Sequence, residues 1–354
     1  MRLIFFPRYT STGPSSRYRF YQYFPMFKEF EINVYPFFDN RYKPGMNFKS
    51  LSGLIYTFKC FINRFIKILK LLNRKHICVI QYEFTPYLPF NKLFFKIFKI
   101  KYIVDYDDAV FHEYDQSKNK IVRYLLKNKI PNVIKYADKV ITGSSYLTDF
   151  AKQYNSNIIE IPTSINIEKY KKVYLKYKVN IFTIGWIGSL TTSKNLIQLI
   201  PVFKRLREEK ITFQINCIGF NNDLLDKFEG LPFNSIQWND ETEVEEIKKF
   251  DIGIMPLEDD LFNKGKCAFK LIQYMACGVP TISSPFSSNL NVDRNKENLF
   301  ASTDEEWANC IIKMINNKDK YLRIGQNNIK IAEKYYSVQS NYKKYINCFN
   351  SVNN

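Results

Sequence analysis

Short runs of β-branched and aromatic residues alternate with helix-period segments from one end of the chain to the other. That alternation is the pattern of strands buried between helices, so it restricts the fold to parallel α/β sheets. The first series of expected strands is Arg2–Phe6, Glu31–Tyr35, Ile77–Tyr82, Tyr102–Asp105, Lys139–Thr142 and Asn157–Glu160. Ile161-Pro162-Thr163 closes it, and the Lys- and Tyr-rich stretch Glu168–Lys178 reads as a linker. A second series then runs through strand Ile181–Trp186, helix Ser193–Glu208 and strands Thr212–Ile218 and Ser235–Trp238. Helix Glu241–Lys249, strand Asp251–Met255, a helix over Phe269–Cys277, strand Pro280–Ser284 and helices from Thr303 to Asn350 complete it. A single core stops growing near ~250–300 residues, so the 354 residues suit two domains. The expectation is two doubly wound domains in tandem, with ligands in the cleft beyond the carboxyl ends of their strands.

The charge is lopsided. Residues 1–175 hold 29 basic and 13 acidic side chains, whereas the remainder is nearly balanced, although the chain as a whole carries +18. Between Arg41 and Lys101 stand thirteen Lys/Arg and one acid, Glu83. Lys59, Asn63, Lys67, Lys70 and Arg74 are spaced to stack on one helical stripe, with Phe58, Phe61, Phe65, Ile68 and Leu72 on the far side. Asn91–Lys99 repeats the mixture. One reading packs the aromatic face on its own sheet and leaves the lysines in solvent. The charge excess of the whole half asks for a polyanion, and an anionic membrane surface attracts such a face. Nucleic acid is the disfavoured alternative, because no finger, RNP-like strand or helix-turn-helix pattern accompanies the charge.

The seven cysteines are scattered without a CxxC pair, and His76 and His112 form no ligand cluster. Zinc sites and disulfide frameworks are therefore poor readings and a reducing compartment the better one. The start MRLIFFPRYT lacks a signal peptide's apolar run, and no stretch of about 18 uncharged apolar residues exists to span a bilayer. The expected location is cytoplasmic, peripheral on the inner face of the cell membrane.

Three segments suit a sugar joined to a nucleoside diphosphate. In Ile184–Lys194 a strand ends at a glycine and a polar loop leads into a helix. Gly188 permits close backbone approach, Ser189 and Thr191 offer hydroxyls, and Lys194 brings a counter-charge. In Lys264–Pro280 a helix opens after a basic loop and terminates at Gly278. Lys266 and Lys270 can neutralise a diphosphate there, and Gln273, one turn on, can reach ribose hydroxyls. In Val104–His112 the carboxylates of Asp105, Asp107 and Asp108 sit at the end of a strand. Asp107 and Asp108 are the candidates to orient sugar hydroxyls or favour positive charge at the anomeric carbon, with Asp105 structural. His112 is more simply a packing residue. Gly13-Pro14 reads as a turn, with Ser15 or Ser16 capping the following helix.

Asp251-Ile-Gly-Ile-Met-Pro-Leu, Lys264-Gly-Lys-Cys and Lys270-Leu-Ile-Gln-Tyr-Met-Ala-Cys-Gly-Val-Pro resemble retaining GT-B glycosyltransferases of the family 4 type. The Ile-Gly-Trp-Ile-Gly-Ser block, Ala137–Ser145 and Ile161–Asn166 match as well. The resemblance implies a GT-B fold of two Rossmann-like domains facing a central cleft. Residues 1–170 would form the acceptor-side domain and 179–336 the nucleotide-sugar domain, with 337–354 a helix crossing back. It implies transfer with retention from a nucleotide-diphosphate sugar to a glycan or lipid-linked acceptor, without a resident cofactor or metal, in cell-surface polysaccharide biosynthesis. It also places the Gly13 loop against the donor phosphates, where Arg17 or Arg19 could touch one. The chain departs from the pattern in three places: Gly265 and Gln273 stand where the family commonly has glutamates, and Ser189 replaces a frequent arginine. Two other readings stay open at this point, a sugar-nucleotide epimerase of the same architecture and a non-catalytic basic module.

Overall fold

A computed structural model describes residues 1–42, 46–48, 50–68, 76–89, 95, 97–171 and 181–353 of the chain. They divide into two compact units. The first comprises Met1–Ser164, Leu261–Cys267 and Asn341–Asn354; the second comprises Ile165–Asp260 and Ala268–Ser340. Most of the expected linker, together with Lys70, Leu72, Arg74, Lys92 and Lys96 of the basic stretches, lies outside the described residues; Ile167–Lys171 is helical.

The first unit is built on a six-stranded parallel sheet. Its strands are β1 (Arg2–Phe6), β2 (Glu31–Val34), β3 (His76–Gln81), β4 (Tyr102–Tyr106), β5 (Lys139–Thr142) and β6 (Ile158–Glu160), in the order β2-β1-β3-β4-β5-β6. Phe5 lies opposite both Val34 and Val79, and Val104 opposite Ile80 and Val140. Strands β3 and β4 are buried residue after residue, as both-face coverage of a parallel sheet demands. Helix α1 (Pro14–Arg19) follows β1 and opens on Pro14, whose missing N–H is no loss in a first turn. The last helix, Val338–Asn353, contributes Tyr345 and Phe349, which pack on Phe5, Tyr23 and Phe27.

Helix α2 (Leu51–Ile68) departs from the reading in which its aromatic face packs inward. Gly53, Tyr56, Cys60 and Arg64 are the buried stripe, while Phe58 and Phe65 are exposed and Phe61 half-buried. The Arg64 guanidinium lies over the rings of Phe6, Phe37 and Phe84 at 4.9, 5.5 and 5.2 Å, and an Nη–H donates to the Pro7 carbonyl at 3.3 Å. Flat guanidinium on aromatic faces is favourable packing even without an acid.

The second unit repeats the scheme with β7 (Phe182–Ile187), β8 (Phe213–Ile218), β9 (Phe233–Ile236), β10 (Ile252–Met255), β11 (Thr281–Ser283) and β12 (Leu299–Phe300). The sheet order is β12-β11-β10-β7-β8-β9, again with parallel pairing. The helix expected over Ser193–Glu208 is two pieces, Lys194–Ile197 and Ile200–Glu208. Pro201 has no N–H to donate back to residue 197, yet fits the first turn of the second piece, so the chain restarts there.

Candidate functional site

The carboxyl ends of β1, β3 and β4 bring a set of polar groups together in the first unit. The three neighbouring aspartates have three different fates. Asp105 is fully buried and held by Arg19 in a bidentate pair, Nε to Oδ1 at 2.8 Å and Nη2 to Oδ2 at 2.7 Å. Arg19 also donates to the Ile161 carbonyl at 2.7 Å, so it is a buried strut of the fold rather than a phosphate ligand. Asp105 is structural, in line with its position on the strand.

Asp107 is buried, and its two carboxylate oxygens accept from the hydroxyls of Ser15 and Tyr82. Burial and the Asp107 charge hold the Tyr82 hydroxyl well above its ordinary pKa, so it stays a donor. Ser15 in turn accepts from Gln81 Nε2 at 2.9 Å, and Gln81 Oε1 accepts from Arg8 N at 3.0 Å and Ser16 Oγ at 2.6 Å. Ser15 and Ser16 thus support the strand tips instead of capping α1, whose N-cap residue is Gly13, with no side-chain cap bond. Gly13 cannot be replaced there, because a Cβ would sit 2.3 Å from Tyr9 Cβ. Tyr82 itself adopts φ +61°, a left-handed backbone unusual for an aromatic residue and of the strained kind often found at sites.

Asp108 is the exposed member, about one-third accessible, with Lys266 Nζ 3.8 Å from its Oδ1. Burial pushes its carboxyl up to about 6 against the pull of the Lys266 ammonium, and the Asp107 charge adds to the rise. Lys266 belongs to the Leu261–Cys267 segment, which is part of the same unit. That segment is fastened by the Cys267 thiol, which donates to the Asp107 carbonyl at 2.9 Å, and by Gly265, which lies against Ala109. A Cβ on Gly265 would come within 2.3 Å of Ala109 Cβ, a physical reason for glycine where the resembled family has a glutamate.

Behind this group lies a charge cluster that sequence reasoning missed. Glu83 accepts from Tyr114 OH at 2.9 and 2.8 Å and pairs with Lys129 at 2.5 Å. Arg8 lies 4.0 Å from Glu83 and 3.9 Å from Glu113. Burial lowers the Lys129 pKa while Glu83 supports its charge, and burial raises Glu113. The available signal was polarity at the end of an otherwise apolar strand, Gln81-Tyr82-Glu83. His112 is spoken for on both ring nitrogens, by Asp115 at 2.9 Å and Tyr146 OH at 2.9 Å.

In the second unit the loop after β7 carries Gly188, Ser189 and Lys194. A Cβ on Gly188 would strike the Trp186 ring at 2.2 Å, so the loop turns tightly over the indole. Ser189 N donates to Thr192 Oγ1 at 2.9 Å, and Ser189 Oγ lies 3.2 Å from Thr191 Oγ1. Lys194, well exposed, pairs with Glu258 at 3.2 Å, a partner the sequence did not indicate. Lys270 sits one residue into the helix Phe269–Ala276 and places its ammonium 4.3 Å from the centre of the Trp186 ring. Trp186 is thus shared by Gly188 and Lys270. Gln273 is buried and donates to Tyr170 OH at 3.4 Å. The structure therefore gathers Asp107, Asp108 and Lys266 in one unit, and Gly188, Ser189, Lys194 and Lys270 around one loop of the other.

Residues 181–317 match the family described as glycosyl transferases group 1. None of the curated proteins matches the chain. Among solved structures it is similar to sucrose-phosphate synthase from Thermosynechococcus elongatus, with TM-score 0.71 and 10% identity over 99% of both chains. It is similar as well to Anabaena Alr3699/HepE in complex with UDP, with TM-score 0.70 and 12% identity over 99% of this chain and 100% of that one. A glycosyltransferase from Rickettsia africae gives TM-score 0.66 at 12% identity, covering 99% and 98%. At such identities these likenesses bear on the fold. The match to glycosyl transferases group 1 thus covers the second unit's sheet, on a chain whose two parallel sheets have the GT-B fold.

Proposed function

We propose that this glycosyltransferase moves a sugar from a nucleoside-diphosphate donor to a glycan or lipid-linked acceptor, with retention at the anomeric carbon. The observation that carries the reading is Asp108, 3.8 Å from the Lys266 ammonium and next to the buried Asp107, just beyond the carboxyl end of β4. Gly13, Gly188, Ser189, Lys194, Lys266, Lys270 and Gln273 are the proposed donor-binding residues. As the bond between the anomeric carbon and the diphosphate breaks, the diphosphate leaves with the electron pair, the acceptor oxygen bonds to that carbon, and the acceptor hydroxyl's proton passes to the departing diphosphate. Lys266 offsets that charge, and fixed cations of this sort are the larger catalytic effect in such transfers. Asp107, fixed by Ser15 and Tyr82, orients the sugar, and Asp108 accepts the acceptor hydroxyl's hydrogen bond. Two of the carboxylates that could hold a cation are already satisfied by protein donors, Asp105 by Arg19 and Asp107 by hydroxyls, so a chelator is expected to leave the rate unchanged. The resemblance to retaining enzymes supports retention, and the charge of the first 175 residues supports a lipid-linked acceptor at the cytoplasmic face of the cell membrane, in polysaccharide synthesis.

A thermal-shift screen over nucleoside diphosphates and their sugars tests the donor class. A ligand at a hundred times its Kd stabilises by about 2.7 kcal/mol. Lys266→Ala and Lys194→Ala should each lower transfer at limiting donor by about tenfold or more. If both kept the wild-type rate, the phosphate assignment would be wrong.

A further inference from the structure

Helix α2 turns the wrong way for a helix that has solvent as its only neighbour. Its inward stripe holds Gly53, Tyr56, Cys60 and Arg64, whereas Leu51, Leu54, Phe58, Ile62 and Phe65 form an outward stripe with spacings of 3, 4, 4 and 3. Leu51 is 76% exposed and Phe58 66%, and Ile55 and Ile66 widen the same face. A soluble helix buries such a stripe, and a contiguous apolar face left outside marks an interaction surface.

The chemistry around the stripe selects the occupant. The 18 residues of α2 include no Asp or Glu; Lys59 is exposed beside the stripe, while Lys67 lies toward the inward side with its ammonium 5.2 Å from the centre of the Tyr35 ring. A second face of the same make-up stands on the helix Lys120–Leu126 of the same unit. There Ile121, Tyr124 and Leu125 are exposed beside Lys120 and Arg123. Nucleic acid would take the cations but offer nothing to leucine and phenylalanine. A second copy of this chain would bring the same positive charge against itself. An anionic bilayer satisfies both, hydrocarbon for the stripe and headgroups for the lysines. No helix among the described residues is long and apolar enough to cross a membrane, and α2, ~27 Å long at 1.5 Å per residue, has the length to lie along one.

We propose that the exposed face of α2, seconded by the helix Lys120–Leu126, docks this protein onto an anionic lipid surface with α2 lying in the interfacial plane. The proposal deepens the lipid-linked acceptor reading and rests on it for its purpose, while its physics is independent of the transfer reaction. The test is co-sedimentation of the full chain with vesicles of phosphatidylcholine alone or with one-third phosphatidylglycerol. Wild type is expected to partition about tenfold or more in favour of the anionic vesicles. Phe58→Glu/Phe65→Glu, two changes at exposed positions, should reduce that partition by about tenfold or more, and Ile121→Glu/Leu125→Glu should reduce it less. Thermal stabilisation by nucleoside diphosphate, measured on the same samples, should be unaltered in both variants. Vesicle binding by Phe58→Glu/Phe65→Glu equal to wild type would overturn the proposal. So would a wild type that ignores vesicles but self-associates in light scattering while that variant is monomeric. Vesicle binding without any nucleotide stabilisation would sink the donor reading and leave the docking face standing.

Discussion

Asp108 is ionised at neutral pH against the preference of its surroundings. With its carboxyl raised to about 6, the native chain binds more protons than the unfolded one between the ordinary carboxylate pKa and that value. Stability contributed by this group is therefore present at low pH and lost as pH rises through about 6. Asp108→Asn should be more stable than wild type at pH 8, on the order of 1 kcal/mol after allowing for its partial exposure, and no more stable at pH 4. Denaturant melts at the two pH values decide it. The same substitution should remove the acidic limb near pH 6 from the transfer rate and lower the plateau by about a hundredfold. Gly265 yields a second outcome at this scale. Gly265→Glu forces a Cβ onto Ala109 and should cost about 1–3 kcal/mol, of which Ala109→Gly in the same chain recovers a part. Spacing alone offered Asp105, Asp107 and Asp108 as near-equivalent carboxylates at one strand end. What separates them is set by residues 19, 15, 82 and 266, far off in sequence, so only Asp105's place on the strand was readable in advance.

At the level of elements, the strands were the legible part, because a strand buried on both faces writes itself as a continuous apolar run. Two-residue β12 has no room for such a run. The break before Ile200 was written in Pro201, and the apolar period across Ser193–Glu208 hid it. The orientation of α2 was beyond reach, since its own residues do not tell that the face with Tyr56, Cys60 and Arg64 packs inward rather than the one with Phe58 and Phe65. The decisive contact there is Arg64 on three rings, and no carboxylate pairs with it among the described residues. Burial lowers the Arg64 pKa to about 9, so the charge is held at a cost. Arg64→Met, which keeps the length and removes the charge, should leave stability within about 1 kcal/mol of wild type or raise it. Arg64→Ala, which empties the space over Phe6 and Phe37, should cost about 2–4 kcal/mol. Chemical denaturation of the pair separates packing from charge.

On the scale of the whole molecule, the two units are assembled from unequal stretches. The second unit is two pieces of chain and the first is three, since Leu261–Cys267 and Asn341–Asn354 join Met1–Ser164. A fragment ending at residue 164 lacks the Lys266 segment and also Tyr345 and Phe349, so the rings of Phe5, Tyr23 and Phe27 lose their cover. Expressed alone it should aggregate, and supplying 338–354 as a fused or separate peptide should restore a cooperative melt by circular dichroism. The interlacing also limits how genes of this kind can be shuffled. A single recombination junction cannot exchange one half of this protein for a relative's, because an intact first unit must be inherited as three tracts. Grafting the aspartate–lysine couple onto another scaffold would require the donor's 261–267 loop to travel with its β4.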